Sequence, residues 1–279
     1  MIVDCHTHID LSVDASDTAT YLDAAENVDA CIALGCPRPD HDQVNEALAK
    51  FVAAHSGKVL GFGVIDPTQK IVTEDYLKQF TEEWRLQGFV LYCSACGFHP
   101  THSDAMTFYQ AVSDLGLPVF FHNGDLDVSC EGHLAYAQPF LLDEVAKSFP
   151  QLKIIVGSMG IPFIDQTIAV LARHENVFAD LTIRPTNVWQ TYNIVMAAHE
   201  QGVMDKLVFG SGYPIAESQA CIETLLGFNN LMADTNLPTV PRGSIRAIVE
   251  RNSLELLSID YSRIKSPHAE VKTEDKPNT

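Results

Sequence analysis

Short apolar runs alternate with longer stretches of helical period along this chain, and the alternation continues almost to its end. The runs occupy residues 2–8, 28–34, 58–64, 88–92, 118–122, 152–157, 177–180 and 206–210, eight segments of strand length. Between them lie amphipathic stretches such as 104–115, where Ala105, Phe108, Ala111, Val112 and Leu115 recur three and four apart, the period of one helix face. Several runs, Val119-Phe120-Phe121 and Ile154-Ile155-Val156 among them, are continuously apolar, as strands covered on both faces must be. Strand then helix, eight times over, predicts an α/β fold, the (β/α)8 TIM barrel. An open doubly wound sheet is the structural alternative. No Gly-x-Gly-x-x-Gly follows an early strand, however, and Gly61-Phe62-Gly63 falls inside the third run. A helix around Asp143-Glu144 should stop before Pro150, and residues 244–257 predict one extra C-terminal helix after the eighth unit. Past residue 261 the chain turns polar, with Pro267 and Pro277. The expected organisation is a barrel domain over 1–261 and a disordered tail over 262–279.

Composition narrows the function classes. The 279 residues are 46% hydrophobic with a mean hydropathy of +0.03, enough to bury one sizeable core. Thirty-six acidic against 18 basic residues give a formal charge of −18, which repels polyanions and argues against nucleic acid or an anionic membrane as partner. No apolar run approaches the ~20 residues of a membrane span, and Met1-Ile2-Val3-Asp4 lacks the basic start of a signal peptide. A cytoplasmic protein is expected. The seven cysteines, an odd number set in segments such as Ala30-Cys31-Ile32, read as reduced core thiols.

In a barrel, catalytic groups gather at the C-terminal ends of the strands. The first run ends Asp4-Cys5-His6-Thr7-His8. A strand projects residues i and i+2 onto one face, so two imidazoles point at one spot and supply half a shell for a borderline divalent ion such as zinc. The bland alternative is a pair of ordinary strand histidines. By the same alternation Cys5 should face away and pack between barrel and helices. His122 closes the fifth run, which brings three imidazoles to the mouth. Around them, Cys96, Phe98 and Asn123 are candidate substrate contacts. Arg184 could pair with a substrate carboxylate through its planar fork, or simply form a surface ion pair. Cys93-x-x-Cys96 has the spacing of a zinc or redox pair, but no second pair follows and the setting is not thioredoxin-like, so a packing role is expected. His99, His102, Asp125, Asp127, Glu131 and His133 sit in the loops after runs four and five. They are potential replacement groups for the site, though loop residues of these types usually serve as solvated, turn or cap groups.

Taken together, Asp-x-His-x-His at the start, Leu-Pro-Val-x-x-His-x-Gly at 117–124, Pro-x-Leu-Leu-x-Glu at 139–144, Phe-Gly-Ser-x-Tyr-Pro at 209–214 and the late Asn252 resemble the amidohydrolase-related family, which includes aminocarboxymuconate semialdehyde decarboxylase. The resemblance runs from residue 2 to about 258. It implies one divalent metal ion, zinc first among the candidates, held by His6, His8, His122 and an Asp after the eighth strand, with a sixth-strand His acting on the bound water or the substrate. This chain departs at both of the last two positions, with Ser158 in place of that His and Gly212 in place of that Asp. A hydroxyl is no base near neutrality and glycine has no side chain, yet three imidazoles still suffice for a metal shell. The expected function is a metal-dependent hydrolase acting on a small carboxylated or cyclic substrate. The alternatives are a degenerate barrel that binds a ligand or a partner protein, and a decarboxylase. A small molecule is the expected partner, and a homodimer is allowed.

Overall fold

The computed structural model describes residues 1–11, 15–122 and 132–265. Eight strands, β1 (Val3–Thr7), β2 (Ala30–Leu34), β3 (Val59–Val64), β4 (Gly88–Leu91), β5 (Val119–Phe121), β6 (Ile154–Val156), β7 (Val177–Thr182) and β8 (Leu207–Gly210), form one sheet in sequence order. Every adjacent pair is parallel. The sheet closes on itself at the mouth, where the Gly212 N–H donates to the His6 carbonyl (2.9 Å) and the His8 N–H donates to the Tyr213 carbonyl (2.8 Å). This is the TIM barrel the alternation predicts.

The helices are α1 (Ala15–Ala24), α2 (His41–Ala54), α3 (Glu74–Lys78), α4 (Cys93–Cys96), α5 (Ser103–Asp114), α6 (Leu142–Ser148), α7 (Ile164–Arg173), α8 (Val188–Glu200), α9 (Ser218–Leu226), α10 (Arg242–Glu250) and α11 (Ser253–Leu256). Most of them cover the outer face of the strands. In α5 the buried stripe is Ala105, Phe108, Tyr109 and Val112, while Leu115 sits past the helix end, exposed. The extra terminal helix is two helices. Arg251 adopts an extended backbone (ψ 134°), its guanidinium donates to the Asp205 and Leu207 carbonyls, and the Asn252 side chain caps α11. An N-cap residue inside an apolar-periodic stretch stops one helix and starts the next. Leu254 of α11, with Leu257 and Ile259, joins the residues that fill the barrel interior.

One register detail matters for the site. The β1–β2 pairing shifts between Asp4 and Thr7, so strict alternation fails there. Cys5 therefore packs in the interior cluster with Val3, Ile32, Phe62 and Phe120. It does not face the helices, as unbroken alternation would require, and His6 still reaches the interior, its ring edge-on to Phe120 at 5.2 Å. Of the tail, residues 262–265 are described, and the Lys265 N–H donates to the Gly57 carbonyl; residues 266–279 lie outside the described residues.

Asn45 of α2 is fully buried and clamps the end of β3, its amide donating to the Val64 carbonyl (2.9 Å) and accepting from the Val64 N–H (2.8 Å). Asn45→Ala orphans two buried backbone groups. It is expected to cost about 1–3 kcal/mol per unsatisfied group, read as a lower denaturant midpoint; an unchanged midpoint would show that β3 is held by packing alone.

Candidate metal centre

His6 and His8 leave the end of β1, and His122 follows β5. Their Nε2 atoms form a triangle with all three sides 3.1 Å. His6 and His122 are buried and His8 is half-buried. Each ring is oriented from behind or beside. His6 Nδ1 lies 2.9 Å from Asp180 Oδ2 and 3.1 Å from the Thr182 hydroxyl. His8 Nδ1 lies 3.9 Å from Cys36 Sγ, and the His122 ring lies 4.7 Å from that of Tyr92, whose hydroxyl donates to the Gly35 carbonyl.

A neutral imidazole has one N–H and one lone pair. With the His6 and His8 N–H groups directed outward, the Nε2 lone pairs face one another, an arrangement a cation stabilises. Ligands 2.0–2.1 Å from a common ion at the tetrahedral angle stand about 3.3 Å apart, close to the separation seen. The three histidines fit a divalent ion, and among the described residues they are the group of metal-binding side chains that converges.

Burial pushes His8 down to about 3 and His122 well below the usual imidazole value, in both cases with a contribution from His6. Both rings are thus neutral at physiological pH, the form a metal needs. An exposed imidazole titrates near 6.5. Between that value and about 3 the unfolded chain binds more protons than the folded one, so the stability held above pH 6.5 is lost as pH falls through this window. Denaturation of metal-free protein at several pH values is expected to show this decline starting near 6.5; a flat profile down to pH 4 would contradict it.

Ser158 and Met159, in the turn after β6, have φ of 48° and 53°, conformations that cost about 1–3 kcal/mol each in a residue other than glycine. In this turn the Ser158 N–H donates to Asp180 Oδ2 at 2.6 Å. Gly212 has φ +68°, and a Cβ there would meet Thr182 Cγ2 at 2.7 Å. Thr182 thus fills the space beside Gly212, while its hydroxyl donates to Asp180 Oδ1.

A cleft of about 640 Å³ opens from His8 and His122, walled by Ile9, Pro37, Tyr92, Ala95, Pro214 and Ile215 and edged by Asp10, Asp17 and Arg38. Arg38 donates to Asp10 at 2.8 Å. Burial pushes the thiol of Cys36, another lining residue, upward. Among the expected substrate contacts, Cys96 lines a neighbouring, more polar cleft with Arg38, Asp66 and Lys70. Phe98 is buried in the outer core. Arg184 is half-buried beyond β7 and absent from the cleft wall. Asn123, like Asp125, Asp127 and Glu131, lies outside the described residues.

The loop histidines have local roles. His99 accepts from the Thr101 N–H and lies within hydrogen-bond distance of its hydroxyl, His102 caps α5, and exposed His133 packs on Tyr136. Burial holds Cys93 protonated and pushes Cys96 up to about 11. All six cysteines among the described residues are free thiols. Asp180, Thr182 and Tyr92 fall at strand ends in the sequence without a role that residue type alone assigns, and Arg38 carries no signal there. The one signal for Asp180 was a carboxylate inside the apolar run Val177-Phe178-Ala179-Asp180-Leu181.

A family profile described as amidohydrolase matches residues 3–259. Solved structures share the fold. A probable 2-pyrone-4,6-dicarboxylic acid hydrolase from Acinetobacter baumannii, with citric acid bound, is 14% identical with TM-score 0.64 over 92% of this chain and 99% of its own. 5-Carboxyvanillate decarboxylase from Sphingomonas paucimobilis is 12% identical with TM-score 0.63 over 93% and 99%. A dihydroxybenzoic acid decarboxylase from a Polaromonas species, with bound manganese and the inhibitor 2-nitroresorcinol, is 15% identical with TM-score 0.60 over 92% and 96%. Among curated proteins none matches this chain in sequence. No helix of the described residues is long and apolar enough to cross a membrane.

Proposed function

The chain belongs to the amidohydrolase family, and on that premise we propose that it is a metal-dependent hydrolase of a small carboxylated, cyclic substrate. The observation that carries this reading is the 3.1 Å triangle of His6, His8 and His122 nitrogens, two of whose rings, His8 and His122, line the cleft. A bound divalent ion, zinc in the first instance, would polarise a substrate carbonyl and bring a water's acidity toward neutrality.

The chain's own residues supply the rest. A cleft of about 640 Å³ suits a small ligand. Ile9, Pro37, Tyr92, Pro214 and Ile215 exclude water around a ring, and the Arg38 guanidinium at the rim suits a carboxylate. Asp10 and Asp17 are the lining carboxylates that could accept a proton, Asp10 being held by Arg38. Cys36 and Tyr213, both pushed up by burial, stay protonated at neutral pH and cannot serve as the base.

A second reading, a barrel that binds a carboxylated ligand without turning it over, is favoured by Ser158 and Gly212, which bring no base and no carboxylate to the mouth. The two part on one experiment. Metal-loaded protein is incubated with small carboxylated lactones, cyclic amides and aromatic acids, and products are followed by mass spectrometry. Ring opening that a chelator abolishes and added metal restores is the expected result. Binding without turnover would favour the second reading, and release of carbon dioxide without ring opening would make the protein a decarboxylase.

A further inference from the structure

We propose that Asp180 is the positioning carboxylate of this site, acting through His6. The inference rests on the reading that His6, His8 and His122 take a divalent ion. Among the described residues, Asp180 is the carboxylate in hydrogen-bond contact with a ligand ring, its Oδ2 lying 2.9 Å from His6 Nδ1.

Asp180 is completely buried, and its contacts are donors: the His6 ring, the Ser158 N–H at 2.6 Å and the Thr182 hydroxyl. Three donors thus fix the carboxylate in one orientation behind the His6 ring.

Three elements are shaped around the pair. The turn after β6 adopts left-handed φ at Ser158 and Met159, and that turn aims the Ser158 N–H at Asp180. Gly210 of β8 leaves room, since a Cβ there would stand 2.5 Å from Asp180 Oδ1 and 2.9 Å from His6 Cβ. Thr182 holds the other carboxylate oxygen and, with its methyl, occupies the space beside Gly212.

Two consequences follow from this arrangement. The carboxylate fixes the proton on His6 Nδ1 and makes Nε2 a stronger donor toward a metal. The carboxylate also sits behind a ligand, away from the cleft, while Gly212 presents no side chain at the mouth, so β8 would place no carboxylate between a bound ion and an approaching substrate.

The test compares wild type with Asp180→Asn and Thr182→Val, using zinc affinity by competition with a chromophoric chelator and the visible spectrum of the cobalt(II)-loaded protein. Denaturation midpoints check the fold. Asp180→Asn is expected to weaken zinc binding about 10- to 100-fold and to shift the cobalt bands. Thr182→Val, which removes only the hydroxyl on Asp180 and His6, should shift both in the same sense by less, and it decides the matter if Asp180→Asn does not fold. A wild type that binds zinc, with variants that match it in affinity and spectrum, overturns the inference. A wild type that binds no zinc overturns the reading beneath it.

Discussion

His122→Ala is expected to weaken binding of a divalent ion by about two to three orders of magnitude. Structural zinc sites with four ligands gain roughly 10–16 kcal/mol, or about 2.5–4 kcal/mol per ligand, and each 1.4 kcal/mol is a factor of ten. His122 is the ligand contributed by a strand other than β1, so its loss leaves two imidazoles on one side of the site. Isothermal titration of metal-free protein with zinc measures the effect. The barrel itself should survive, because His122 lies past the end of β5 and its N–H bond to the Leu91 carbonyl belongs to the backbone. A variant that folds and binds as tightly as wild type would show that the ion sits elsewhere.

Gly210→Ala carries the second largest effect. A single methyl at this position would fall 2.5 Å from Asp180 Oδ1 and 2.9 Å from His6 Cβ, contacts real atoms do not make, and both neighbours are buried with little room to retreat. Overpacking of this kind costs about 1–3 kcal/mol. Because the displaced groups are a ligand ring and the carboxylate that orients it, metal affinity should fall at least as far as it does on losing an outer-shell partner, about 10- to 100-fold. Chemical denaturation and zinc titration of the same preparation separate the two losses. Wild-type affinity in this variant would mean that the pair tolerates displacement, and the positioning argument would fail with it.

The barrel was legible because parallel strands buried on both faces must be continuously apolar, and Val119-Phe120-Phe121 and Ile154-Ile155-Val156 declare themselves as such. The convergence of His6, His8 and His122 followed from where those strands end. Cys5 was misplaced because a register shift in β1 has no signature in residue types, and the terminal helix was drawn unbroken because Asn252 reads equally well as helix interior or cap. Asp180 stayed hidden for a different reason. Its partner His6 is 174 positions away, and a single strand shows a carboxylate without showing what it touches. Arg38 follows β2, a strand whose C-terminal loop carries no family motif, so only the fold brings it to the rim of the cleft.

The measurement that bears most directly on the account is elemental analysis of wild-type protein purified without chelator. About one divalent ion per chain, removable by chelation and recovered on dialysis against zinc, is the predicted result. A chain that carries no metal as purified and takes none from excess zinc, manganese or cobalt would contradict the claim that these three histidines form a metal centre.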